Sequence, residues 1–167
     1  NNDNVCLILG DNIFYGQGFS SLLKQSIKTV EEENRSVVFG YQVNDPQRFG
    51  IAELDKDNTG MIKKIIEKPK DPPSNLAVIG IYFLTPVIFD IIKRLKPSKR
   101  NELESTDALD MLLNENHIIT YNMITDYWKD TGTPDDIIHA NGIILENLST
   151  YFNGKNDGTN TIEGNIM

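Results

Sequence analysis

The stretch Leu9-Gly10-Asp11-Asn12-Ile13-Phe14-Tyr15-Gly16 constrains this chain more than any other. Residues 5–9 form an apolar run that leads straight into Gly-Asp-Asn. That pattern predicts a buried parallel strand ending in a tight turn. The turn presents an acid at the strand's carboxyl edge, where open α/β sheets bind their ligands. An aspartate followed by an amide side chain suits a hard, oxygen-ligated cation such as Mg2+. The same residues also suit an ordinary Asp-Asn turn without a ligand, since both are common turn formers.

Periodicity sets out the rest. Phe19, Leu22, Leu23, Ser26, Ile27 and Val30 recur at helical spacing, with Ser20 or Ser21 as the expected cap. Residues 37–41 read as a second buried strand, so strand, helix and strand make a βαβ unit in a sheet that is at least partly parallel. Residues 50–54 and 61–66 flank the turn signal Asp57-Asn58-Thr59-Gly60 and predict a hairpin. Residues 77–83 predict a strand, 86–95 and 106–113 helices, and 118–124 and 127–129 strands. Thr133-Pro134-Asp135-Asp136 is a helix start, followed by the stripe Ile137, Ala140, Ile144 and Leu148. The composition turns polar and rich in Gly and Asn from Asn153, and residues 161–167 hint at a new β element. Residues 1–150 are therefore expected to form one portion of a domain, and 151–167 a linker with the start of an extension. The first strand comes within a few residues of Asn1, with no earlier strand to pair with, so the chain is expected to start inside a larger fold.

Composition narrows the function. A chain of 167 residues with 39% hydrophobic and 24% charged residues reads as a soluble globular protein of about one domain. A net charge of -8 argues against non-specific nucleic-acid binding, which depends on neutralising phosphates with Lys and Arg. No apolar run approaches the roughly 20 residues that span a bilayer, and no signal peptide is evident, so no membrane partner is expected. The single cysteine, Cys6, lies in the first apolar run and reads as a core residue in a reducing, cytoplasmic setting.

Four islands carry candidate chemistry: Asp11-Asn12; Glu67-Lys68-Pro69; Arg100 with Glu102, Glu104, Thr106 and Asp107 behind it; and Trp128-Lys129-Asp130-Thr131-Gly132-Thr133. Asp11 and Asp130, at two strand ends, are able to share one Mg2+, which takes one or two carboxylates and completes its shell with water and phosphate oxygens. Lys68 as a point charge and Arg100 as a fork would suit a polyanion, and Glu67 would accept from sugar hydroxyls. Each also has a plain reading, as a solvated strand end, an exposed basic run or a turn residue. His117 and His139 have no partner at metal-ligand spacing.

Together the islands resemble the glucose-1-phosphate thymidylyltransferases, which are sugar-nucleotide pyrophosphorylases. The resemblance rests on Leu-Gly-Asp-Asn-Ile-Phe-Tyr-Gly-Gln-Gly-Phe at 9–19 and Val-Asn-Asp-Pro-Gln-Arg-Phe-Gly at 43–50. Glu-Lys-Pro-Lys at 67–70, Pro-Ser-Asn-Leu-Ala-Val-Ile-Gly-Ile-Tyr at 73–82 and Trp-Lys-Asp-Thr-Gly at 128–132 extend it. It implies a mixed, mainly parallel α/β sheet flanked by helices, incomplete here at the amino end. It implies a Mg2+-dependent transferase, with dTTP and glucose 1-phosphate as partners and dTDP-glucose and pyrophosphate as products. Carried over, Asp11 and Asp130 hold the metal. Asn12, Gly50, Glu67 and Val78 contact the sugar nucleotide, Lys68 and Arg100 meet phosphate oxygens, and Tyr82 lines the sugar pocket. Asp11, Lys68, Arg100 and Asp130 form the catalytic set. A homo-oligomer fits the resemblance.

The departures are informative. The family's loop G-x-G-T-R-L with its following lysine is not in this chain, so the 167 residues are expected to be inert alone. Where the family usually reads Arg-Gly-Glu-Leu-Glu-Ile-Thr-Asp, this chain has Asn101 for Gly and Ser105 for Ile. The tail resembles longer relatives that continue into a β-helical domain. Alternatives are a transferase for UTP or another sugar phosphate, and a non-catalytic sugar-nucleotide sensor.

Overall fold

The computed structural model describes residues 3–57 and 60–147. They form two compact units. The first comprises the described residues up to Gly10 and Gly16–Asp126; the second comprises Asp11–Tyr15 and the described residues from Tyr127 onward.

The first unit is a six-stranded mixed sheet with helices. Its elements are β1 (Val5–Ile8), α1 (Phe19–Glu33), β3 (Ser36–Gln42), β4 (Gly50–Leu54), β5 (Ile62–Glu67), β6 (Leu76–Leu84), α2 (Ile88–Arg94), α3 (Ser105–Asn114) and β7 (Ile119–Met123), with β2 (Asn12–Tyr15) belonging to the second unit. The order is β5-β4-β6-β3-β7, with β1 also on β6. All nine residues of β6 are buried, as a strand covered on both faces demands. One edge of β6 carries β3; the other is shared by β1 at Ile81–Leu84 and β4 at Ala77. The core joins Val38, Ala52, Ile65, Val78, Leu109 and Ile119, among others, across the sheet and α3.

The mixed α/β sheet matches the expectation, but most of its pairings are antiparallel; only β3 with β7 is parallel. The reason is β6. It lies between β1 and β3 and runs against both. The βαβ unit is therefore real in direction, since β1 and β3 point the same way, but its strands are not neighbours. The expected buried parallel strand at 5–9 is instead an antiparallel strand with exposed residues: Ile8 is 60% exposed. Cys6 is accordingly exposed and not a core residue, though partial desolvation still lifts its thiol above the usual range.

The expected serine cap of α1 is also replaced. The helix starts after Gly18, at φ +81, and the Gly18 carbonyl accepts from the Ser21 and Leu22 amides. A left-handed entry of this kind favours glycine, and it places Ser20 and Ser21 inside the first turn. Deeper in α1, Ser26 is fully buried. Its hydroxyl donates to the Leu22 carbonyl at 2.9 Å and accepts from Asn122 Nδ2 at 2.8 Å, tying α1 to β7. The predicted hairpin is β4 with β5, pairing Gly50 with Glu67; Asn58 and Thr59 of its turn lie outside the described residues.

The second unit pairs β2 with β8 (Tyr127–Asp130), antiparallel, followed by α4 (Pro134–Asn147). The cap at Thr133 is as expected: its hydroxyl donates to Asp136 Oδ2 at 2.7 Å and accepts from the Asp136 amide at 3.3 Å. The stripe is only partly buried. Ala140 is fully covered, but Ile137 is 55% exposed. Leu148 and the predicted linker and β element lie outside the described residues.

The Ser26–Asn122 pair predicts a stability effect. Ser26→Ala strands a part-buried amide donor and should cost about 1–3 kcal/mol, offset by a few tenths from the better helix propensity of alanine. Urea denaturation of the two proteins measures it, and a variant as stable as the parent contradicts the assignment.

Candidate functional site

In the first unit, Glu67 is the centre of the candidate residues. It ends β5, directly opposite Gly50 of β4. Its Oε1 accepts from Arg100 Nη1 at 3.2 Å and lies 3.7 Å from Lys68 Nζ; its Oε2 accepts from the Thr106 hydroxyl at 2.9 Å. Glu67 keeps 21% side-chain exposure, so a ligand is able to reach it. Ile51, next to Gly50, pairs with Ala77 of β6, and Val78 follows one residue on. The hairpin and β6 therefore hold Gly50, Glu67 and Val78 in one register.

Lys68 has φ +40, a left-handed value unusual for a residue other than glycine. Its amide donates to the Phe49 carbonyl at 3.0 Å, which fixes the bend as the chain leaves β5. Strain of this kind persists where surrounding contacts over-determine it, and it concentrates at working sites.

Arg100 faces three carboxylates. Besides Glu67, its guanidinium lies 2.7 Å from Glu102 and 3.6 Å from Glu104. A tight turn arranges this: Asn101 donates to the Ser98 carbonyl, Ser98 donates to the Glu102 carbonyl, and the Ser98 hydroxyl donates to Glu104 Oε1 at 2.9 Å. Asn101 sits at φ +60. After glycine, asparagine is among the residues that tolerate that conformation best, so the departure from the Arg-Gly-Glu pattern preserves the turn. The structure thus gives Arg100 carboxylate partners, where the sequence pointed to phosphate.

Tyr82 of β6 is 4% exposed and borders an apolar groove of about 220 Å3 with Leu7, Leu84, Leu103 and Ser105. Burial pushes its phenol above the ordinary range; a hydrogen bond with Ser105 opposes that, and the charge of Glu67 adds to it. The carboxyl of Asp107, in the first turn of α3, is pushed above its ordinary range by burial and then by the charges of Glu104 and Asp110.

In the second unit, β2 and β8 place Asn12 opposite Asp130. Asp11 immediately precedes β2, and its carbonyl accepts from both the amide and the hydroxyl of Thr131, each at 2.8 Å. Asp11 and Asp130 therefore stand at the same end of one ribbon. Asn12 Nδ2 donates to Asp11 Oδ1 at 2.9 Å, and Trp128 Nε1 donates to Asn12 Oδ1 at 2.8 Å. The Gly132 amide donates to Asp130 Oδ1 at 3.1 Å. Lys129 is paired with Asp136 at 2.7 Å. Asp11 and Asp130 are hard carboxylates with lone pairs to spare at one end of a braced ribbon, the donor type that Mg2+ takes. Among the described residues no group of three or more His, Cys, Asp or Glu stands ready to hold a metal, so water and phosphate oxygens would fill the remaining positions.

The chain matches the model of the nucleotidyl transferase family over residues 1–147. It belongs to that family. It is 40% identical over 169 residues to the low-salt glycan biosynthesis nucleotidyltransferase Agl11 of Haloferax volcanii, covering 98% of this chain and 44% of that protein. It is 43% identical over 140 residues to a glucose-1-phosphate thymidylyltransferase of Neisseria gonorrhoeae, covering 83% of this chain and 47% of the relative. The fold superimposes on a UDP-glucose pyrophosphorylase solved with UDP-glucose, at TM-score 0.75 and 32% identity, over 86% of this chain and 56% of that one. The chain thus spans about half the length of these relatives.

In this member of the family, the sequence points to the regions of Thr106, Thr131 and Trp128 without giving those residues a role. Their tasks are contacts across the chain, between residues 67 and 106, 11 and 131, and 12 and 128. No local spacing encodes such contacts.

The geometry separates Lys68 from Arg100. Lys68→Ala in the full-length protein should lower turnover at saturating substrate, because a flexible cation acts on charge that develops in the reaction. Arg100→Lys, which keeps the charge but loses the fork, should chiefly weaken ligand binding and so raise a KM. Equal losses in both kinetic constants for the two variants would show that they act alike. Steady-state kinetics decides.

Proposed function

We propose that this chain is part of a transferase that joins dTTP to glucose 1-phosphate, giving dTDP-glucose and pyrophosphate. The observation that carries this is Glu67, an acceptor held on both oxygens, with the Lys68 ammonium beside it. A rigid carboxylate suits sugar hydroxyls, and the neighbouring cation suits a phosphate. The family membership supports a nucleotide substrate, and the thymidylyltransferase relative supports dTTP as the choice.

The chemistry asks little of the protein in proton transfer. A sugar phosphate is already an anionic nucleophile. Its oxygen attacks the α-phosphorus in line, the P–O bond to the β-phosphate breaks, and pyrophosphate departs with the electron pair. Positioning and charge compensation supply the rate. Glu67 and Gly50 would seat the sugar, Lys68 would meet its phosphate, and Val78 and Tyr82 would shape the wall. Arg100 would hold Glu67 and, where the phosphate approaches, add its charge. Asp11 and Asp130 are the residues that would hold Mg2+, with Asn12 bracing Asp11; the bound ion would offset negative charge on phosphate oxygens. A cytoplasmic reaction is part of this proposal. Among the described residues no helix is long and apolar enough to cross a membrane.

A second reading has its own support. The fold likeness to a UDP-glucose pyrophosphorylase favours UTP as the nucleotide. A pyrophosphate-release assay on the full-length protein, with dTTP and UTP each paired with glucose 1-phosphate, distinguishes the two. The first reading expects higher kcat/KM with dTTP, and a preference for UTP moves the assignment to the second. No release with either nucleotide, despite tight binding of the sugar nucleotide, would indicate a sensor.

The metal pair has its own test. Asp130→Asn should cut turnover about a hundredfold or more and weaken Mn2+ binding read by electron paramagnetic resonance. Unchanged Mn2+ affinity in that variant contradicts the assignment of Asp130.

A further inference from the structure

We propose that Thr106 is a positioning residue for the sugar subsite, and that Gly50 is glycine to make room for it. This inference rests on the reading of Glu67 as the sugar contact, which it deepens. Thr106 is the second residue of α3, 5% exposed, on the helix end nearest the close of β5. Its hydroxyl donates to Glu67 Oε2 at 2.9 Å. A buried, β-branched side chain has few rotamers, so the donor stays where the backbone puts it. An unrestrained glutamate spreads over many rotamers. Glu67 instead has Arg100 on one oxygen and Thr106 on the other. Two fixed donors define the plane of the carboxylate. Each oxygen retains capacity for a further hydrogen bond, and as an ionised acceptor it takes only donors. Sugar hydroxyls are donors of the kind it accepts.

Gly50 closes the argument from the other side. A Cβ there would run into the Thr106 methyl and stand 3.4 Å from Glu67 Oε2. Gly50 does not adopt a left-handed φ, so space and not backbone strain excludes a side chain. The absent side chain at residue 50 lets Thr106 reach Glu67. Thr106 touches no reacting atom in this account; it acts through Glu67.

The test is steady-state kinetics on the full-length protein with glucose 1-phosphate and the preferred nucleotide. Thr106→Val keeps the shape and removes the hydroxyl. It should raise the KM for glucose 1-phosphate about tenfold, with the nucleotide KM unchanged and kcat within about threefold. Thr106→Ser, which restores the donor, should return that KM to within about twofold of the parent. Gly50→Ala should raise the same KM, and Gly50→Ala/Thr106→Ser should recover part of the loss, because serine lacks the methyl that the new Cβ meets. If Thr106→Val does not fold, Thr106→Ala carries the test of the hydroxyl, with the same expected rise in the sugar KM and an unchanged KM overturning the role of Thr106. Thr106→Val with an unchanged sugar KM, alongside a raised KM in Glu67→Gln, overturns the role of Thr106 alone. An unchanged sugar KM in Glu67→Gln overturns the subsite reading and this inference with it. A double variant no better than Gly50→Ala overturns the steric half of the proposal.

Discussion

The candidate site of the first unit depends on the burial of β6. All nine of its residues are covered, and both of its edges are paired. Each large apolar side chain taken from water there is worth about 1.5–3 kcal/mol, enough to make the strand a fixed reference. A one-residue slip would turn each buried side chain toward the opposite face, so the register is strongly specified. Val78 and Tyr82 belong to β6 itself. Gly50 is one residue from its contact with β6, and Glu67 is paired to Gly50. The sugar-side candidates therefore inherit their positions from packing remote from any ligand.

Upon that frame the polar contacts at Glu67 do a different job. Arg100 is 44% exposed, and an ion pair of that kind contributes about 0.2–1 kcal/mol. The value of the network lies in geometry. Arg100 and Thr106 reach Glu67 from a turn and a helix far along the chain, and Lys68 bends away through a left-handed backbone. The β2–β8 ribbon shows the same division of labour. Thr131 holds the backbone of Asp11, and Trp128 holds Asn12, while the carboxylates of Asp11 and Asp130 keep lone pairs available.

Much of this was legible in the sequence, because much of it is local. The hairpin at residues 50–66, the strand at 77–83 and the cap at Thr133 all follow from turn chemistry and period, and all are present. The strand at residues 5–9 shows where that logic stops. An apolar run predicts burial, but partners decide it, and β1 lies antiparallel on β6 with Leu7 and Ile8 exposed. The βαβ reading says nothing of what lies between its strands: β6, some forty residues later in the chain, inserts between β1 and β3. For the site, Asp11, Glu67 and Asp130 were visible as acids in turn-flanked motifs. The residues that hold them were not, since a contact between Thr106 and Glu67 leaves no periodic trace. Arg100 was read as a phosphate contact from its guanidinium fork and the family resemblance, and the structure adds carboxylates around it that no spacing announces.

In the proposed function Glu67, fixed by the β4–β5 hairpin and α3, reads the sugar. A crystal structure of the full-length protein with Mg2+ and dTDP-glucose tests it most directly. The Glu67 carboxylate should lie within hydrogen-bond distance of sugar hydroxyls, with its bonds to Arg100 and Thr106 retained. A sugar ring bound with no contact to Glu67, or a Glu67 side chain swung away from Thr106 to meet it, would contradict the account.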